Sequence, residues 1–220
     1  MKASTSTTGV ELMRASTVVY KVTKRLMDIV GSCVALVIFS PVILYIVIAI
    51  KLEDHGPVLY KQTRVGKNGQ EFELWKFRSM VQGADKIKGQ LADQNEIEDG
   101  PMFKIKDDPR ITKVGKFIRH HSLDEVPQFV NILKGDMSLV GPRPALPREV
   151  AEYDERDMER LQVIPGLTGL WQVSGRSKLT FAQMVDLDLT YINHRSIWFD
   201  IRIIFKTFLQ MFDPKDSGAY

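Results

Sequence analysis

Asp124 and Glu125 are neighbouring carboxylates in the run S-L-D-E-V-P-Q that begins at Ser122. Further along the same stretch, Arg143 stands between Pro142 and Pro144. Paired acids beside fixed cations suit metal-assisted chemistry on a phosphate. A carboxylate can attack phosphorus and form an acyl phosphate. Its neighbour can hold Mg2+, an ion that keeps waters and needs only one or two carboxylates beside the phosphates of a substrate. Arg119 precedes the pair, and a guanidinium can grip phosphate oxygens in bidentate fashion. The prolines on either side of Arg143 preorganise its backbone. A structural reading competes with the chemical one. Ser122 to Glu125 fits a capping box, in which both acids merely stabilise a helix start. Pro127 counts against that frame, because it falls where a backbone N–H should already be donating. A helix beginning at Asp124 instead puts Pro127 in the first turn and Asp124 at a positive helix end that favours phosphate.

The elements that must position these residues are short. Alternation and β-formers over 57–65 and 70–77 predict two strands paired around the turn Lys67-Asn68-Gly69-Gln70. Residues 81–97 are polar and helix-prone, and Asp107-Asp108-Pro109-Arg110 is a turn. Helices are expected over 112–120 and 124–134, the latter ended by Gly135. Pro142, Pro144 and Pro147 impose an extended path, Arg148 to Leu161 reads as a charged amphipathic helix, and Leu179 to Asn193 as another. Pro165 to Arg176 is a glycine-rich loop containing Trp171. The fold class is a small mixed α/β or α+β domain, mostly helical, built on an apolar N-terminal segment.

That segment, Ile29 to Ile50, carries no charge. About 22 residues at 1.5 Å each reach roughly 33 Å, enough to span the hydrocarbon core of a bilayer. One reading is a single transmembrane helix. The other is a re-entrant helix that enters, breaks at Ser40-Pro41 and returns to the same face. Pro41 removes a backbone hydrogen bond in mid-run. Lys21, Lys24 and Arg25 before the run, and Lys51, Lys61 and Arg64 after it, leave no inside–outside asymmetry. Near the C-terminus, Ile201, Ile204, Phe205, Phe208, Leu209 and Phe212 follow helical spacing, fitting a helix that either lies in the interface or packs on the core. The division expected is an N-terminal tail over 1–20, the membrane-inserted helix over 21–55 and a cytoplasmic catalytic domain over 56–220.

Charge excludes little by itself: 30 basic against 27 acidic residues give a formal +3, no argument for nucleic acid. The basic residues do gather before Asp124, at Lys104, Lys106, Arg110, Lys113, Lys116 and Arg119, a pattern that a solvated helix face would also show. Cys33 is the single cysteine, so no internal disulfide forms, and its apolar neighbours point to packing or lipid contact. No His/Cys cluster has zinc spacing, and His120 and His121 would diverge by about 100° on a helix.

Taken in order, the motifs resemble the bacterial sugar transferase domain, the monotopic polyprenyl-phosphate phosphoglycosyltransferases that initiate capsule, exopolysaccharide or O-antigen. They are K-R-L-M-D at 24–28, Ser40-Pro41, R-V-G at 64–66, K-F-R-S-M at 76–80, R-I-T-K-V-G-K-F-I-R at 110–119, S-L-D-E-V-P-Q at 122–128, G-D-M-S-L-V-G-P-R-P at 135–144 and P-G-L-T-G-L-W-Q-V-S-G-R at 165–176. The resemblance implies a re-entrant helix broken at Ser40-Pro41 with both ends cytoplasmic, positioned by Lys24, Arg25 and Asp28. It implies Asp124 as nucleophile, Glu125 as the Mg2+-linked partner with Asp124 as a second candidate ligand, and Arg119 and Arg143 on phosphate or nucleotide. Lys76, Arg78, Arg64 and Arg176 are further candidates for binding substrate phosphate.

The reaction so implied is two-step transfer of a hexose 1-phosphate, galactose or glucose, from a UDP-sugar to undecaprenyl phosphate at the cytoplasmic face of the bacterial inner membrane, with release of UMP. Membrane lipid and downstream glycosyltransferases are the expected partners, with a homodimer through the membrane-proximal helices and no nucleic acid. Members of this type often carry an extra N-terminal membrane domain, so the chain is expected to be a short or trimmed form. Competing expectations are a membrane-anchored Mg2+-dependent phosphatase or pyrophosphatase, which would transfer to water, and a non-enzymatic membrane scaffold.

Overall fold

The computed structural model describes residues 5–84, 105, 108–175 and 179–212, with backbone alone for 5–17, 211 and 212. A first helix, α1 (Thr5–Asp54), runs through the stretch expected as an N-terminal tail and on through the apolar segment. It feeds the hairpin β1 (Leu59–Val65) and β2 (Glu71–Phe77), paired antiparallel from Leu59↔Phe77 to Val65↔Glu71. The predicted turn is there: Asn68 and Gly69 take left-handed backbone at φ 57° and 78°, which these two residue types tolerate best. Two helices follow, α2 (Lys113–His120) and α3 (Gln128–Lys134). The side chain of Thr112 caps α2 by accepting from Gly115 N at 2.9 Å. Gly135, at φ 98°, ends α3 as expected.

Beyond α3 the path departs from expectation in two places. Strand β3 (Ser138–Val140) pairs in parallel with β4 (Gly166–Thr168), which lies inside the presumed glycine-rich loop. The backbones meet so closely that a Cβ on Gly166 would sit 2.0 Å from Gly141 N, so only glycine fits. The amphipathic helix expected over 148–161 is broken into α4 (Pro147–Val150), α5 (Glu155–Met158) and a 3-10 turn over Glu159–Gln162. The cause is local: the Asp154 side chain accepts from Asp157 N at 2.8 Å and starts a new helix there. Two longer helices, α6 (Phe181–His194) and α7 (Ile197–Phe212), close the domain. Most of 81–97, Asp107 and Arg176 lie outside the described residues.

The first helix is gripped along its length by the rest of the chain. Near its start, Lys24 donates to Asp200 of α7 at 2.9 Å. Arg25 donates to the carbonyls of Ile132 and Leu133 at 2.6 and 2.7 Å, a cation placed where the end of α3 leaves carbonyls unpaired. Asp28 accepts from Ser138 Oγ and Leu139 N. Further along, Ile46 and Ile50 pack with Phe77, Ile118 and Val126. At its end, Asp54 pairs with Arg78, and Glu53 accepts from Lys113 N at 2.8 Å. Pro41 lies inside the helix, so the expected interruption is a missing hydrogen bond rather than a gap. Ser40 Oγ donates to Val37 O at 2.8 Å, the carbonyl that Pro41 cannot serve.

The opposite face of α1 has no protein cover. Val30, Val34, Val37, Ile38, Leu44 and Tyr45 are each more than half exposed. The most apolar window of the helix, at mean hydropathy 2.9, is only 11% buried, which a soluble core helix would not tolerate. Trp198, Ile201, Phe205, Phe208 and Leu209 present a second apolar face on α7, beside Ile203, which is buried with Val140 and Tyr191. Among the described residues the structure is therefore a mostly helical domain with two small sheets and one long apolar helix suited to a membrane. Asp200 is the knot at its base, fully buried and accepting from Lys24, Tyr20 and Tyr191. Asp200→Ala would leave Lys24 without its charge partner and should cost about 3–5 kcal/mol, read as a lower unfolding midpoint in detergent.

Candidate active site

Asp124 sits in a single 3-10 turn, Leu123–Glu125, between α2 and α3. Neither sequence frame for a helix start at Ser122 or Asp124 is realised. Ser122 adopts left-handed backbone, at φ 54°, with no side-chain cap, and α3 begins only at Gln128 behind Pro127. The turn drives Asp124 into the protein, where it is 9% exposed, while the Glu125 side chain keeps about a third of its surface.

Strand β2 supplies the counter-charge. Lys76 Nζ lies 2.7 Å from Glu125 Oε1 and 3.8 Å from Asp124 Oδ2, one ammonium serving both carboxylates. Asn131 locks the strand in place: its side chain accepts from Trp75 N at 3.0 Å and donates to Glu73 O at 2.7 Å. The two acids are thereby driven apart. Burial pushes the Asp124 carboxyl above the ordinary aspartate range, against the pull of Lys76 and with the help of Glu125. Burial acts on Glu125 in the same direction, but Lys76, Arg143 and Arg64 outweigh it and hold that carboxyl below its usual value. A pair so split has two distinct roles available to it.

Arg143 reaches the site from a loop pinned at every turn. Gly141 N donates to Thr168 O at 2.9 Å, Gly166 N to Pro142 O at 2.8 Å, and Val65 N to Ala145 O at 2.8 Å. Arg64 donates to Pro144 O at 2.9 Å, and Leu146 N donates to Glu149 Oε2 at 2.8 Å. The same Glu149 oxygen is 3.7 Å from Arg143 Nη1. Arg64 is itself buried, with its pKa brought down to about 9 by burial and by the neighbouring Arg143.

The predicted residues thus fall into groups. Asp124, Glu125, Lys76 and Arg143 come together, with Arg119 close enough to Asp124 to draw its pKa downward. Arg64 lies behind them, holding the Arg143 loop. Arg78 is turned away into its pair with Asp54, at the end of α1. Lys24, Arg25 and Asp28 fasten α1 to the domain, and Ser40 and Pro41 lie in its midst. Sequence reasoning missed Glu149, although Pro147 followed by Glu149 is a readable helix-start signal, and it missed Tyr153, Arg160 and Asp188, which line or support a recess beside Arg143.

As a metal site, the pair offers hard oxygen donors and no third ligand: among the described residues no group of three or more His, Cys, Asp or Glu converges. That fits Mg2+ completed by water and phosphate oxygens, and fits a dedicated protein cage poorly. Charge-assisted donors on one side, a buried carboxylate on the other and lipid-suited helices beneath can bind a phosphate anion and attack it. The Asp124 carboxyl should titrate above the ordinary aspartate range by 13C NMR and move higher still in Lys76→Met; an unshifted or lower value would contradict the geometry.

A sequence profile described as Bacterial sugar transferase matches residues 19–214. The chain is 50% identical over 187 residues to the galactosyl transferase CpsE of Streptococcus agalactiae serotype III, a match covering 84% of this chain and 41% of that one. It is 43% identical over 206 residues to the UDP-glucose:undecaprenyl-phosphate glucose-1-phosphate transferase of Escherichia coli K12, covering 90% and 42%. It is 42% identical over 187 residues to the exopolysaccharide production protein ExoY of Rhizobium meliloti, covering 84% and 83%. The chain therefore spans about two fifths of the length of the first two relatives and most of the third.

Proposed function

The chain belongs to the bacterial sugar transferase family, and from that premise we propose that it transfers a hexose 1-phosphate from a UDP-sugar to undecaprenyl phosphate, releasing UMP. The observation that carries the reading is a buried carboxylate, Asp124, 3.8 Å from Lys76 and flanked by arginines, in a domain that grips a lipid-suited helix along its length. A nucleophile for phosphoryl transfer needs a free oxygen held in line with the leaving group and cations on the oxygens that gain charge. Lys76, Arg119 and Arg143 are placed to supply those cations.

In the first step an Asp124 oxygen forms a bond to the β-phosphorus, and the bond from that phosphorus to the bridging oxygen breaks. UMP leaves with the electron pair, and a hexose phosphate remains on Asp124. In the second step a phosphate oxygen of undecaprenyl phosphate attacks the same phosphorus, Asp124 departs as a carboxylate, and polyprenyl-diphospho-hexose results. Glu125, with Asp124 beside it, would hold Mg2+, which would offset charge on the donor pyrophosphate. Lys76 keeps Asp124 ionised enough to attack despite its burial.

The grip on α1 supports a membrane arrangement as well. Lys24 and Asp54 are about 45 Å apart along an unbent helix, yet both contact the same domain. A helix crossing the bilayer would carry one end to the far side. Contacts at both ends support the re-entrant reading, with the site at the cytoplasmic face, where the lipid acceptor presents its phosphate. Two of the similar proteins are named for galactose and for glucose, which supports one of these hexoses as the donor, and the proposed product opens capsule, exopolysaccharide or O-antigen assembly by later glycosyltransferases. A homodimer through the membrane-proximal helices belongs to the same proposal.

The test is UMP release in detergent with Mg2+ from a panel of UDP-hexoses, with and without undecaprenyl phosphate. One hexose should give lipid-dependent release, and Asp124→Asn should lower turnover by several orders of magnitude while folding normally. Release indifferent to the lipid would mean hydrolysis, and full activity in Asp124→Asn would refute the mechanism.

A further inference from the structure

Glu149 is the third residue of α4, and it is buried, with 4% of its surface exposed. We propose that Glu149 is a positioning residue, whose buried charge holds the Arg143 guanidinium at the site without occupying its hydrogen-bond donors. The inference rests on the transferase reading above, in which Arg143 meets substrate phosphate.

Capping alone does not account for this side chain. Glu149 Oε2 accepts from Leu146 N at 2.8 Å, and Glu149 N donates to Leu146 O at 2.9 Å. The side-chain bond serves the start of α4, and a glutamine at that position would make it equally well. A carboxylate withdrawn from water is costly unless a cation compensates it. The charge on Glu149 therefore calls for a partner beyond the cap. That partner is Arg143, whose Nη1 lies 3.7 Å from the same Oε2.

The distance sets the character of the contact. It is close enough for charge attraction and too long for a hydrogen bond. Among the described residues no hydrogen bond joins the Arg143 side chain to the protein, and a third of that side chain is exposed. A guanidinium carries five N–H donors in a fixed fork. Anchored by charge alone, Arg143 keeps those donors for phosphate oxygens, which it can take in pairs.

Arg143 needs an anchor because a second cation stands near it. Arg64 donates to Pro144 O at 2.9 Å, one residue along the chain, and is itself buried. Burial and then Arg143 bring the Arg64 pKa down to about 9, whereas Glu149 acts in the opposite direction. Like charges this close repel, and the more exposed of the two is the one free to swing into water. Pro142 and Pro144 restrain the backbone on either side of Arg143, but not its side-chain torsions. The Glu149 carboxylate offsets the repulsion and restrains what the prolines leave loose.

The experiment is calorimetric titration of UDP-glucose and UDP-galactose into the full chain in detergent with Mg2+. All variants carry Asp124→Asn, so that the donor binds without reacting, and Glu149→Gln, Arg143→Gln and their combination are compared in that background. Glu149→Gln keeps the Leu146 bond and removes only the charge. It should weaken donor binding about tenfold at unchanged stoichiometry. Once Arg143→Gln is present, the same substitution should change the affinity by less than about twofold. A role confined to folding would lower the stoichiometry and leave the affinity alone, which overturns the proposal. Unchanged affinity and stoichiometry in Glu149→Gln overturn it too, as does an equal loss with and without Arg143, since Glu149 would then act through something else. Should Glu149→Gln fail to fold, Glu149→Asp, which draws the charge back by one methylene, replaces it in the cycle with the same expected outcomes. A chain with native Asp124 that releases no UMP from any UDP-hexose overturns the transferase reading and this inference together.

Discussion

Two adjacent carboxylates, Asp124 buried and Glu125 half-buried, repel each other and lose hydration, and Lys76 is the cation that makes the arrangement tenable. At about 4 Å and an effective dielectric near 20, each such contact involves roughly 4 kcal/mol of Coulomb energy. The strand that carries Lys76 therefore has to be placed accurately. The Asn68-Gly69 turn sets the register of β1 and β2, and Asn131 of α3 fixes β2 through both Trp75 and Glu73. Because α3 follows directly on the Asp124 turn, one asparagine ties the cation's strand to the anions' loop. Arg143 is set by a separate frame, the parallel β3–β4 pair and Arg64, which comes from the other strand of the same hairpin.

The second constraint is the attachment of α1. An apolar helix in a bilayer is free to tilt and slide unless polar contacts outside the hydrocarbon restrain it. Here the restraints lie at both ends: Lys24, Arg25 and Asp28 at one, Glu53 and Asp54 at the other, with Ile46 and Ile50 packed between them. Asp54 holds Arg78, which stands two residues beyond Lys76. The position of α1 and that of Lys76 are thus coupled through a few bonds.

Much of the local structure was legible in the sequence because its causes are local. Lys67-Asn68-Gly69-Gln70 announces a hairpin through backbone preference, Gly135 a helix end, and Ile29 to Ile50 a long apolar helix by composition. Asp124 and Glu125 stand out in the sequence as a candidate site by adjacency and company, but their conformation does not: the left-handed backbone at Ser122 is set by the join between α2 and α3. Long-range choices were illegible. Nothing near Arg78 says that it pairs with Asp54, or that Lys76, two residues before it, faces the acids instead. Arg25 meets carbonyls of Ile132 and Leu133, over a hundred residues away in sequence. The helix expected over 148–161 is broken because the capping strength of Asp154 outweighs periodicity over the whole span. The β3–β4 pair was hidden for a related reason, since glycines that read as loop are what allow two backbones to approach.

The central claim is that Asp124 carries the hexose phosphate between donor and acceptor. The most direct measurement is intact and peptide mass spectrometry of the protein after brief exposure to its UDP-hexose with Mg2+ and without undecaprenyl phosphate. The account predicts an adduct of one hexose phosphate on the peptide containing Asp124, discharged when undecaprenyl phosphate is added. An enzyme that turns over with the lipid but never acquires that adduct, or that acquires it on another residue, would contradict it.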